Sequence, residues 1–358
     1  MLTNDIFSGN MKTLTQINEN MRTRLLDIAK IAKVSCTTVS RALNNKGSIN
    51  HSTKEKIMQI AQKLGYSPNR AAQILVNEKT PYSIQTKVIG IVFEEGYLND
   101  TYFSNIIKTI EREAGINNIS TFLSSFSNKY ESFLSVSHKM KDALIRGLLL
   151  VGDIKDENIA LFKEHFKNCV IVDKPSQIIN SVVNDNRRGA SDAVNHLIKT
   201  GCKNIAFISG PQEHYFSQAV FEGYKDALKE NNIAYNEELF GQGSLHTESG
   251  YTAMKSILER VKTVDGLFTN DEMALGAMRA IKEKGLTIPG DISVIGFDDL
   301  YWSLQIDPKL STVSVNYVHM AKVAIRKIID NIDDENIVPD SVIIPVELVI
   351  RETTRRDG

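Results

Sequence analysis

The sequence of 358 residues contains little of several features that mark specialised classes of protein. Its three cysteines, Cys36, Cys169 and Cys202, are too few and too far apart for a disulfide framework or a zinc cluster. No stretch approaches the roughly 20 consecutive apolar residues that a membrane-spanning helix requires. The first residues show no basic leader followed by an apolar run, so no secretory signal is predicted. At about 150 residues per domain, these absences favour a cytoplasmic protein of two or three folded units.

Motifs of several common enzyme classes are absent as well. The sequence contains no G-x-x-x-x-G-K-[ST], G-x-G-x-x-G, H-E-x-x-H or G-x-S-x-G pattern. Its seven histidines include no pair spaced four residues apart, as a helical metal site would need. The sequence therefore indicates no catalytic residue, no metal site and no cofactor.

A net charge of −1 conceals a strong division of charge along the chain. Residues 22–80 contain eleven Lys or Arg and only three acidic residues, a net +8, whereas residues 81–358 carry −8. A small basic module joined to a large acidic one suggests a polyanionic partner for the first and not for the second. Charge by itself leaves open that a short segment is basic by chance.

The basic segment has the pattern of three short helices. The first has apolar residues at i, i+3, i+4 and i+7, namely Leu25, Ile28, Ala29 and Ala32. Ser35 is a good N-cap for the second helix, whose inward-facing residues are Val39, Ala42 and Leu43. The third opens at Ser52 with the Ser-x-x-Glu spacing of a capping box and stops at Gly65.

Two helices joined by a three-residue turn, the second polar and basic, form a helix-turn-helix pattern. The second helix of such a unit enters the major groove, where short polar side chains and Arg hydrogen-bond to base edges. A plain three-helix bundle with a solvated polar face explains the pattern alone about as well.

The residues themselves favour the first interpretation. Residues 26–44, LDIAKIAKVSCTTVSRALN, and residues 63–75, KLGYSPNRAAQIL, resemble the headpiece and hinge of the LacI/GalR (lactose/galactose repressor) family of bacterial transcription regulators. The resemblance implies a DNA-binding headpiece over residues 22–67. Its contacts to operator bases or phosphates would be Ser35, Cys36, Thr37, Thr38, Ser40, Arg41 and Asn44. Lys33 stands where the family usually has Gly, at a cost of about 1 kcal/mol if its backbone is left-handed.

Residues 68–80 are predicted to form the hinge. Pro68 suits a helix start, but a helix of about eight residues is marginal on its own in water. In the family this segment orders on operator DNA, and an apolar residue wedges into a minor-groove base step. By resemblance that residue is Leu75, and Ala71 and Ala72 lie beside it at the DNA.

From residue 86 onward, short apolar runs alternate with amphipathic stretches, which indicates an α/β fold of parallel strands. The predicted strands are Val88–Phe93, Ile119–Phe126, Gly147–Val151, Val170–Asp173, Asn204–Ser209, Gly266–Thr269 and Ile292–Phe297. The predicted helices are Phe103–Ala114, Gly189–Thr200, Phe221–Asn231 and Met273–Lys284. Ligands in such folds bind beyond the carboxyl ends of the strands.

The family resemblance continues through this region, for example in residues 183–190, VNDNRRGA, and residues 291–299, DISVIGFDD. It implies an effector-binding and dimerisation core, residues 81–358, of two periplasmic-binding-protein-like subdomains with Rossmann or flavodoxin-like parallel sheets. The approximate boundaries are 86–184 plus 312–342 for the N-subdomain and 185–311 plus 343–358 for the C-subdomain.

Effector contacts also follow from the resemblance. Asp173, Asn270 and Asp298 stand where the family has polar pocket groups, although each could instead be a helix cap or turn residue. Trp302 could stack on a sugar face, or serve in core or interface packing. Val220 replaces a commonly effector-binding Arg, so either Gln218 or His214 compensates or the ligand differs from the usual sugars.

The sequence therefore predicts a cytoplasmic, homodimeric, DNA-binding transcription regulator, a repressor of a carbohydrate-utilisation operon. Its expected partners are a pseudo-palindromic double-stranded operator and a sugar or sugar derivative as effector, with no membrane partner. The alternatives are a solute-binding or sensor protein whose headpiece contacts a protein, and an enzyme built on the same core. Residues 1–21 match nothing in the family and are expected to be a disordered extension or to follow a mis-assigned start.

Overall fold

The computed structural model describes residues 25–43, 49–64, 87–127, 129–143, 145–331 and 337–355. The chain divides into two compact units, Met1–Gln85 and Thr86–Gly358. The predicted extension (1–21) and the predicted hinge (68–80) lie outside the described residues. Within the described ranges, the first unit is helical and the second is α/β.

The first unit contains three helices around a small apolar core. They are α1 (Leu25–Ala32), α2 (Cys36–Leu43) and α3 (His51–Lys63). One large aliphatic residue from each helix, Ile28, Val39 and Ile57, is fully buried, and alanines fill the space between them. Such a core is small, so the turn and cap residues contribute an unusually large share of the stability of this unit.

The turn between α1 and α2 has the predicted cap and the suspected left-handed residue. The Ser35 hydroxyl accepts a hydrogen bond from the Thr38 amide at 3.1 Å, which confirms Ser35 as the N-cap of α2. Lys33 has φ of 58°, the left-handed region that a residue with a side chain adopts at a cost. The predicted cap of α3 is wrong, because Asn50 Oδ1 accepts from the Ser52 amide at 3.1 Å and α3 begins one residue earlier, at His51.

The described part of the second unit contains two six-stranded sheets. The strands of the first are β1 (Lys87–Glu94), β2 (Ile119–Phe126), β3 (Gly147–Val151), β4 (Cys169–Val172), β5 (Asn180–Asn184) and β11 (Ser341–Ile344), in the order β11-β5-β4-β3-β1-β2. The strands of the second are β6 (Ile205–Ser209), β7 (Phe240–Gln242), β8 (Gly266–Phe268), β9 (Ser293–Asp298), β10 (Ser311–Ser314) and β12 (Glu347–Val349), in the order β12-β10-β9-β8-β6-β7. All described pairings are parallel except that of β10 with β12.

Helices cover both faces of each sheet, as buried parallel sheets require. Those of the first subdomain are α4 (Thr101–Ile116), α5 (Tyr130–Asp142), α6 (Asp156–His165) and α11 (Tyr317–Asp330). Those of the second are α7 (Asn186–Lys199), α8 (Tyr215–Glu230), α9 (Thr247–Arg260) and α10 (Asp271–Glu283). α4 and α11 share one apolar core with the first sheet, and α7 and α8 share another with the second.

The chain passes between the two subdomains three times. It leaves the first sheet after β5, returns after β10 to form α11 and β11, and crosses again to β12. Residues 312–314 therefore pair in the second sheet and 343–344 in the first, opposite to the approximate boundaries expected from sequence. These strands are only four residues long, too short for their pattern to show which sheet they join.

The longer predicted elements agree with the structure. β2 and β3 have the predicted bounds, and the other predicted strands and helices overlap observed ones. The sequence prediction did not include the shorter strands β5, β7, β10, β11 and β12, and the helices α5, α6, α9 and α11 were not among the examples it named. Within the part of the chain that the structure describes, no helix is both long and apolar enough to cross a membrane.

Candidate functional sites

The second helix of the first unit presents a polar face to solvent. Of the predicted DNA contacts, the exposed ones are Ser35, Cys36, Thr37 and Arg41, and the half-buried ones are Thr38 and Ser40. The opposite side of α2 holds Val39 and Ala42 in the core. The remaining predicted contacts, Asn44, Ala71, Ala72 and Leu75, lie outside the described residues.

The face of α2 combines short side chains with a single long cation. Ser35 is occupied as the cap and also lies 2.8 Å from the Thr38 hydroxyl, so these two side chains fix the start of the helix. Arg41, in the last turn, is exposed and carries donors in a fixed fork that fits guanine or phosphate acceptors. This arrangement suits a helix that lies against a nucleic-acid groove.

In the second unit, the predicted effector residues stand at the carboxyl ends of strands. Asp173 follows β4 in the first sheet, whereas Asp298 ends β9 and Asn270 follows β8 in the second. All three side chains are buried, with exposed fractions of 8%, 6% and 7% for Asp173, Asp298 and Asn270. Buried polar groups at strand ends in both sheets are what a ligand-binding cleft between two α/β subdomains requires.

The backbone at both aspartates is in an uncommon conformation. Asp173 has φ of 77°, Asp298 has φ of 111°, and Asp299 has φ of 52°. Residues with a side chain rarely adopt positive φ, and such strain is maintained where the surrounding structure holds it for function. The two carboxyl groups are therefore aimed by the fold rather than by local preference.

Tyr102, on α4, joins Asp173 to the adjacent strand. Its hydroxyl donates to Asp173 Oδ1 at 2.6 Å and accepts from Asn184 Nδ2 at 3.1 Å. Asn184 is only 1% exposed, and its Oδ1 has no hydrogen-bond partner among the described residues. Because a buried acceptor without a donor is destabilising, Asn184 Oδ1 is a natural point of contact for a bound molecule.

Tyr317, the first residue of α11, makes the corresponding contact to the second sheet. Its hydroxyl donates to the Asp298 backbone carbonyl at 3.2 Å, and its ring lies 5.7 Å from that of Tyr102. Both tyrosines pack against the apolar cores of both subdomains. A further link crosses the cleft where the Tyr215 amide, at the start of α8, donates to Asp153 Oδ2 at 2.8 Å.

Burial dominates the electrostatics of this cleft. It raises the pKa of Asp173 to about 7, although the hydrogen bond from Tyr102 opposes the shift. Burial, followed by the negative charges of Asp271 and Asp173, raises the pKa of Asp298 well above its usual range. The cleft therefore holds carboxyl groups whose charged forms lack enough solvation or counter-charge.

Asp271 is a third buried carboxyl, but its contacts are internal. Its Oδ1 accepts from the Thr312 hydroxyl at 2.6 Å, and its Oδ2 accepts from the Leu300 amide at 2.8 Å. Burial raises its pKa to about 8 in spite of these hydrogen bonds. Asp271 thus ties α10 to the ends of β9 and β10, and both of its oxygens are occupied.

Asn270 and Trp302 have the structural roles that the sequence offered as alternatives to effector binding, a helix cap and core packing. Asn270 caps α10, since its side-chain oxygen accepts from the Met273 amide at 3.0 Å. Trp302 lies in a short 3₁₀ turn, Tyr301–Leu304, and packs against the core that α9 and α10 share with the second sheet. These contacts account for both residues without a ligand, and their roles in effector binding stay predictions.

The position of the expected arginine is apolar and enclosed. Val220, on α8, is 3% exposed and belongs to the core of the second subdomain. Of the two suggested replacements, exposed Gln218 donates to the Gln212 carbonyl at 2.9 Å. His214 immediately precedes α8 and is half-buried, without a side-chain capping bond. The structure therefore does not show that either Gln218 or His214 takes the place of the arginine.

Sequence reasoning missed Tyr102, Asn184 and Tyr317. Aromatic residues at helical spacing resemble core residues, and both tyrosines are in fact packed against apolar cores. Their second role comes from hydroxyl groups that face strands more than 15 residues away in sequence, which no local pattern reveals. For Asn184 the available signal was its place at the end of an apolar strand.

The chain matches two family models in the order that its two units have. The model of bacterial regulatory proteins of the lacI family matches residues 24–69, and that of the periplasmic binding protein-like domain matches residues 194–354. The first match spans the helical headpiece, and the second covers most of the second subdomain.

Known proteins resemble the chain over nearly its whole length. The probable HTH-type transcriptional repressor ExuR of Bacillus subtilis (strain 168) is 33% identical over 342 residues, which cover 92% of this chain and 98% of that protein. Catabolite control protein A of Priestia megaterium is 28% identical, covering 94% of this chain and 100% of that protein. The lac repressor dimer bound to operator and the anti-inducer ONPF is 27% identical, with a TM-score of 0.81, covering 93% of this chain and 99% of that one.

The headpiece, the two-subdomain core and the full-length relatives all indicate the same family. On this identity and coverage, the chain belongs to the LacI family of bacterial regulatory proteins, transcription regulators that bind DNA under the control of a small ligand.

Proposed function

We propose that this protein is a homodimeric repressor of a carbohydrate-utilisation operon that acts in the cytoplasm and is released from its operator by a small polyhydroxylated effector. The observation that carries the proposal is the cleft, in which buried polar groups from both sheets surround Tyr102 and Tyr317. Because these groups come from two subdomains, a ligand that contacts them favours one relative arrangement of the subdomains over another.

In the dimer, two headpieces would meet two half-sites of a pseudo-palindrome. The exposed face of α2, with Arg41 in its last turn, would read base edges, while the contact roles of Asn44, Ala71, Ala72 and Leu75 follow from resemblance alone. Effector binding would reduce the population that holds both headpieces at the operator spacing. Induction is the proposed direction, and corepression would be seen as tighter DNA binding with ligand.

We propose that the effector is bound without turnover. The relatives named above include a probable transcriptional repressor and the lac repressor. The cleft holds buried carboxyls and phenols, and in the part of the chain described by the structure no three His, Cys, Asp or Glu side chains converge as metal ligands. A product formed from any sugar that binds would contradict this part of the proposal.

The proposal is tested by selecting bound DNA from a random pool with the full-length protein. We expect a pseudo-palindromic sequence whose affinity falls steeply with salt, because counterions are released from the phosphates. Repeating the selection with a panel of sugars should identify a compound that lowers occupancy. If no sequence is enriched while a sugar still binds, the protein is a sensor whose headpiece does not read DNA.

The predicted hinge has its own test. Leu75→Gly should weaken operator binding and leave ligand binding intact, because only the first requires a wedge in the minor groove. Operator binding by this variant at full affinity would contradict the role given to Leu75. Equal loss of DNA binding and ligand binding would instead show that the substitution impairs folding.

A further inference from the structure

Two buried polar groups of the cleft, Asn184 Oδ1 and the Asp298 carboxyl, are not paired with a described hydrogen-bond donor. The hydroxyl protons of Tyr102 and Tyr317 are already directed at Asp173 and at the Asp298 carbonyl. Asn184 Oδ1 has no partner among the described residues. The groups that act on the Asp298 carboxyl, which is 6% exposed, include no hydrogen-bond donor. A molecule that fits these groups must supply donors.

The charged neighbours of these acceptors are also predominantly acidic. The groups acting most strongly on Asp298 are the carboxylates of Asp271, Asp173, Asp100 and Glu272. Those acting on Asp173 include Asp153 and Asp100. A negatively charged ligand would therefore oppose ionisation of these carboxyls, whose pKa burial already raises, whereas a positively charged ligand would favour it.

Nearby cations are occupied elsewhere. Lys174 lies 3.3 Å from Asp153 and 3.2 Å from Asp156, and its ammonium also donates to the Ile154 carbonyl. Arg351 pairs with Asp299 at 2.5 Å and donates to Leu310. Across the ranges that the structure covers, no basic side chain forms an ion pair with Asp173 or Asp298. Val220, an apolar core residue, occupies the position at which a guanidinium was expected.

From these contacts, and relying on the effector site proposed above, we infer that the effector is a polyhydroxylated amine, such as an amino sugar, whose ammonium group is held by Asp173, Asp298 and Asn184 Oδ1. An ammonium group offers three donors and no acceptor, which complements an acceptor-rich cleft. Its positive charge would stabilise the ionised forms of Asp173 and Asp298, with which no described basic side chain forms an ion pair. The hydroxyl groups of the same molecule extend to the remaining polar atoms of both subdomains.

The test uses full-length protein and sets of ligands that share a skeleton and differ only in charge. Glucose, galactose and mannose are each compared with their 2-amino-2-deoxy, uronate and 6-phosphate forms at pH 6.5, by calorimetry and by the rise in thermal midpoint. We expect at least one amino sugar to bind about tenfold or more tightly than its neutral parent, with no binding of the corresponding anions. A neutral or anionic form that binds more tightly than its amine, or no binding by any amino sugar, overturns the inference.

Replacing a cleft aspartate with asparagine removes its charge and keeps its shape. Such variants test whether the preference for the amino sugar arises in the cleft. Asp298→Asn and Asp173→Asn should lower affinity for the amino sugar by about tenfold or more while changing affinity for its neutral parent little. Asp330→Asn is the matched control, because Asp330 is an exposed residue at the end of α11 that pairs with Arg326. Equal losses for the amine and the neutral parent would show that the aspartates only shape the cleft and would overturn the inference.

Operator binding by the same preparation separates this inference from the proposed function. An amino sugar that binds but changes no DNA occupancy would support the charge assignment and contradict regulation by that cleft. Tight operator binding that only a neutral or anionic sugar relieves would leave the proposed function standing and overturn the inference.

Discussion

Charged residues are exposed to solvent in the headpiece, whereas ionisable residues are buried in the cleft. In the headpiece, an excess of basic residues remains at the surface, as Arg41 does on the outer face of α2, where water and counterions solvate the charge. In the cleft, Asp173, Asp271 and Asp298 are withdrawn from solvent. A solvated cationic face is suited to many polyanions, whereas buried carboxyls in fixed positions would discriminate among small ligands.

The largest effect is expected from Asp271→Ala. This variant tests whether Asp271 has the same role as the other two buried carboxyls, Asp173 and Asp298. Removal of this side chain leaves the Thr312 hydroxyl and the Leu300 amide without acceptors and opens a cavity, so the free energy of unfolding should fall by about 3 kcal/mol. Urea unfolding of the purified protein measures this loss.

Asp271→Asn is the matched control. The raised pKa of Asp271, about 8, keeps the native carboxyl largely protonated at neutral pH, so an amide of the same shape should cost less than alanine. Equal losses for the two variants would contradict the role of its hydrogen bonds and leave only the filling of space.

Next in size is Arg41→Ala, which tests the exposed charge of the headpiece. If Arg41 makes a bidentate contact to a base, its removal should weaken binding to the selected operator by about 2 kcal/mol, or roughly thirtyfold. Titration of labelled operator measures this change. Arg326→Ala, which removes an exposed arginine from α11, is the control and should have little effect. Unchanged affinity in Arg41→Ala would contradict the assignment of α2 as the recognition helix.

An effect of similar size is expected from the pH dependence of Asp173→Asn. Burial raises the pKa of Asp173 to about 7, so its favourable contribution to stability is complete below pH of about 4 and is lost as the pH rises through 7. The asparagine variant has no proton to lose. Its stability relative to the native protein should therefore rise by about 2 kcal/mol between pH 5 and pH 8.

The thermal midpoints of the two proteins at pH 5 and pH 8 measure this difference. Other groups around Asp173 also titrate or carry charge, so only the difference between the proteins is informative; they are Asp100, Asp153, Asp298, Tyr102, Tyr215 and Tyr317. A difference in stability between the two proteins that is the same at pH 5 and pH 8 would contradict a buried titrating carboxyl at this site.

The smallest effect is expected from Lys33→Gly in the headpiece. With φ of 58° at this position, glycine removes steric strain but loses more conformational entropy on folding, for a net gain of about 0.5 kcal/mol. Lys33→Ala is the control, because it removes the charge and keeps the strain. A gain in both variants would trace the effect to charge repulsion in the basic headpiece.

The predictability of the two regions differed for physical reasons. The headpiece depends on local signals, and its helices, the Ser35 cap and the buried Val39 followed from residue spacing. Only the start of α3 was misplaced, since Asn50 and Ser52 are comparable caps and the packing of the helix decides between them. Asp173 and Asp298 were found because a polar residue at the end of an apolar strand is also a local signal.

The rest of the cleft depends on contacts between distant parts of the chain. The hydrogen bond between Tyr102 and Asp173 joins residues 71 positions apart, and that from Asn184 to Tyr102 spans 82. Short strands such as β10 and β11 hold too few residues to show a period, so their assignment to a sheet required the fold itself. Trp302 showed the same limit, because composition could not distinguish a stacking platform from a core residue.

The three crossings between the subdomains give the cleft a mechanical property. Asn184 is the last residue of the strand before one crossing, and Tyr317 is the first helical residue after another. Both residues therefore lie close to the hinge axis about which the subdomains would rotate, where the displacement of atoms is smallest. A ligand that moves these residues by a fraction of an ångström would turn one subdomain against the other. The outer ends of the subdomains, which lie farther from the axis, would then move much farther.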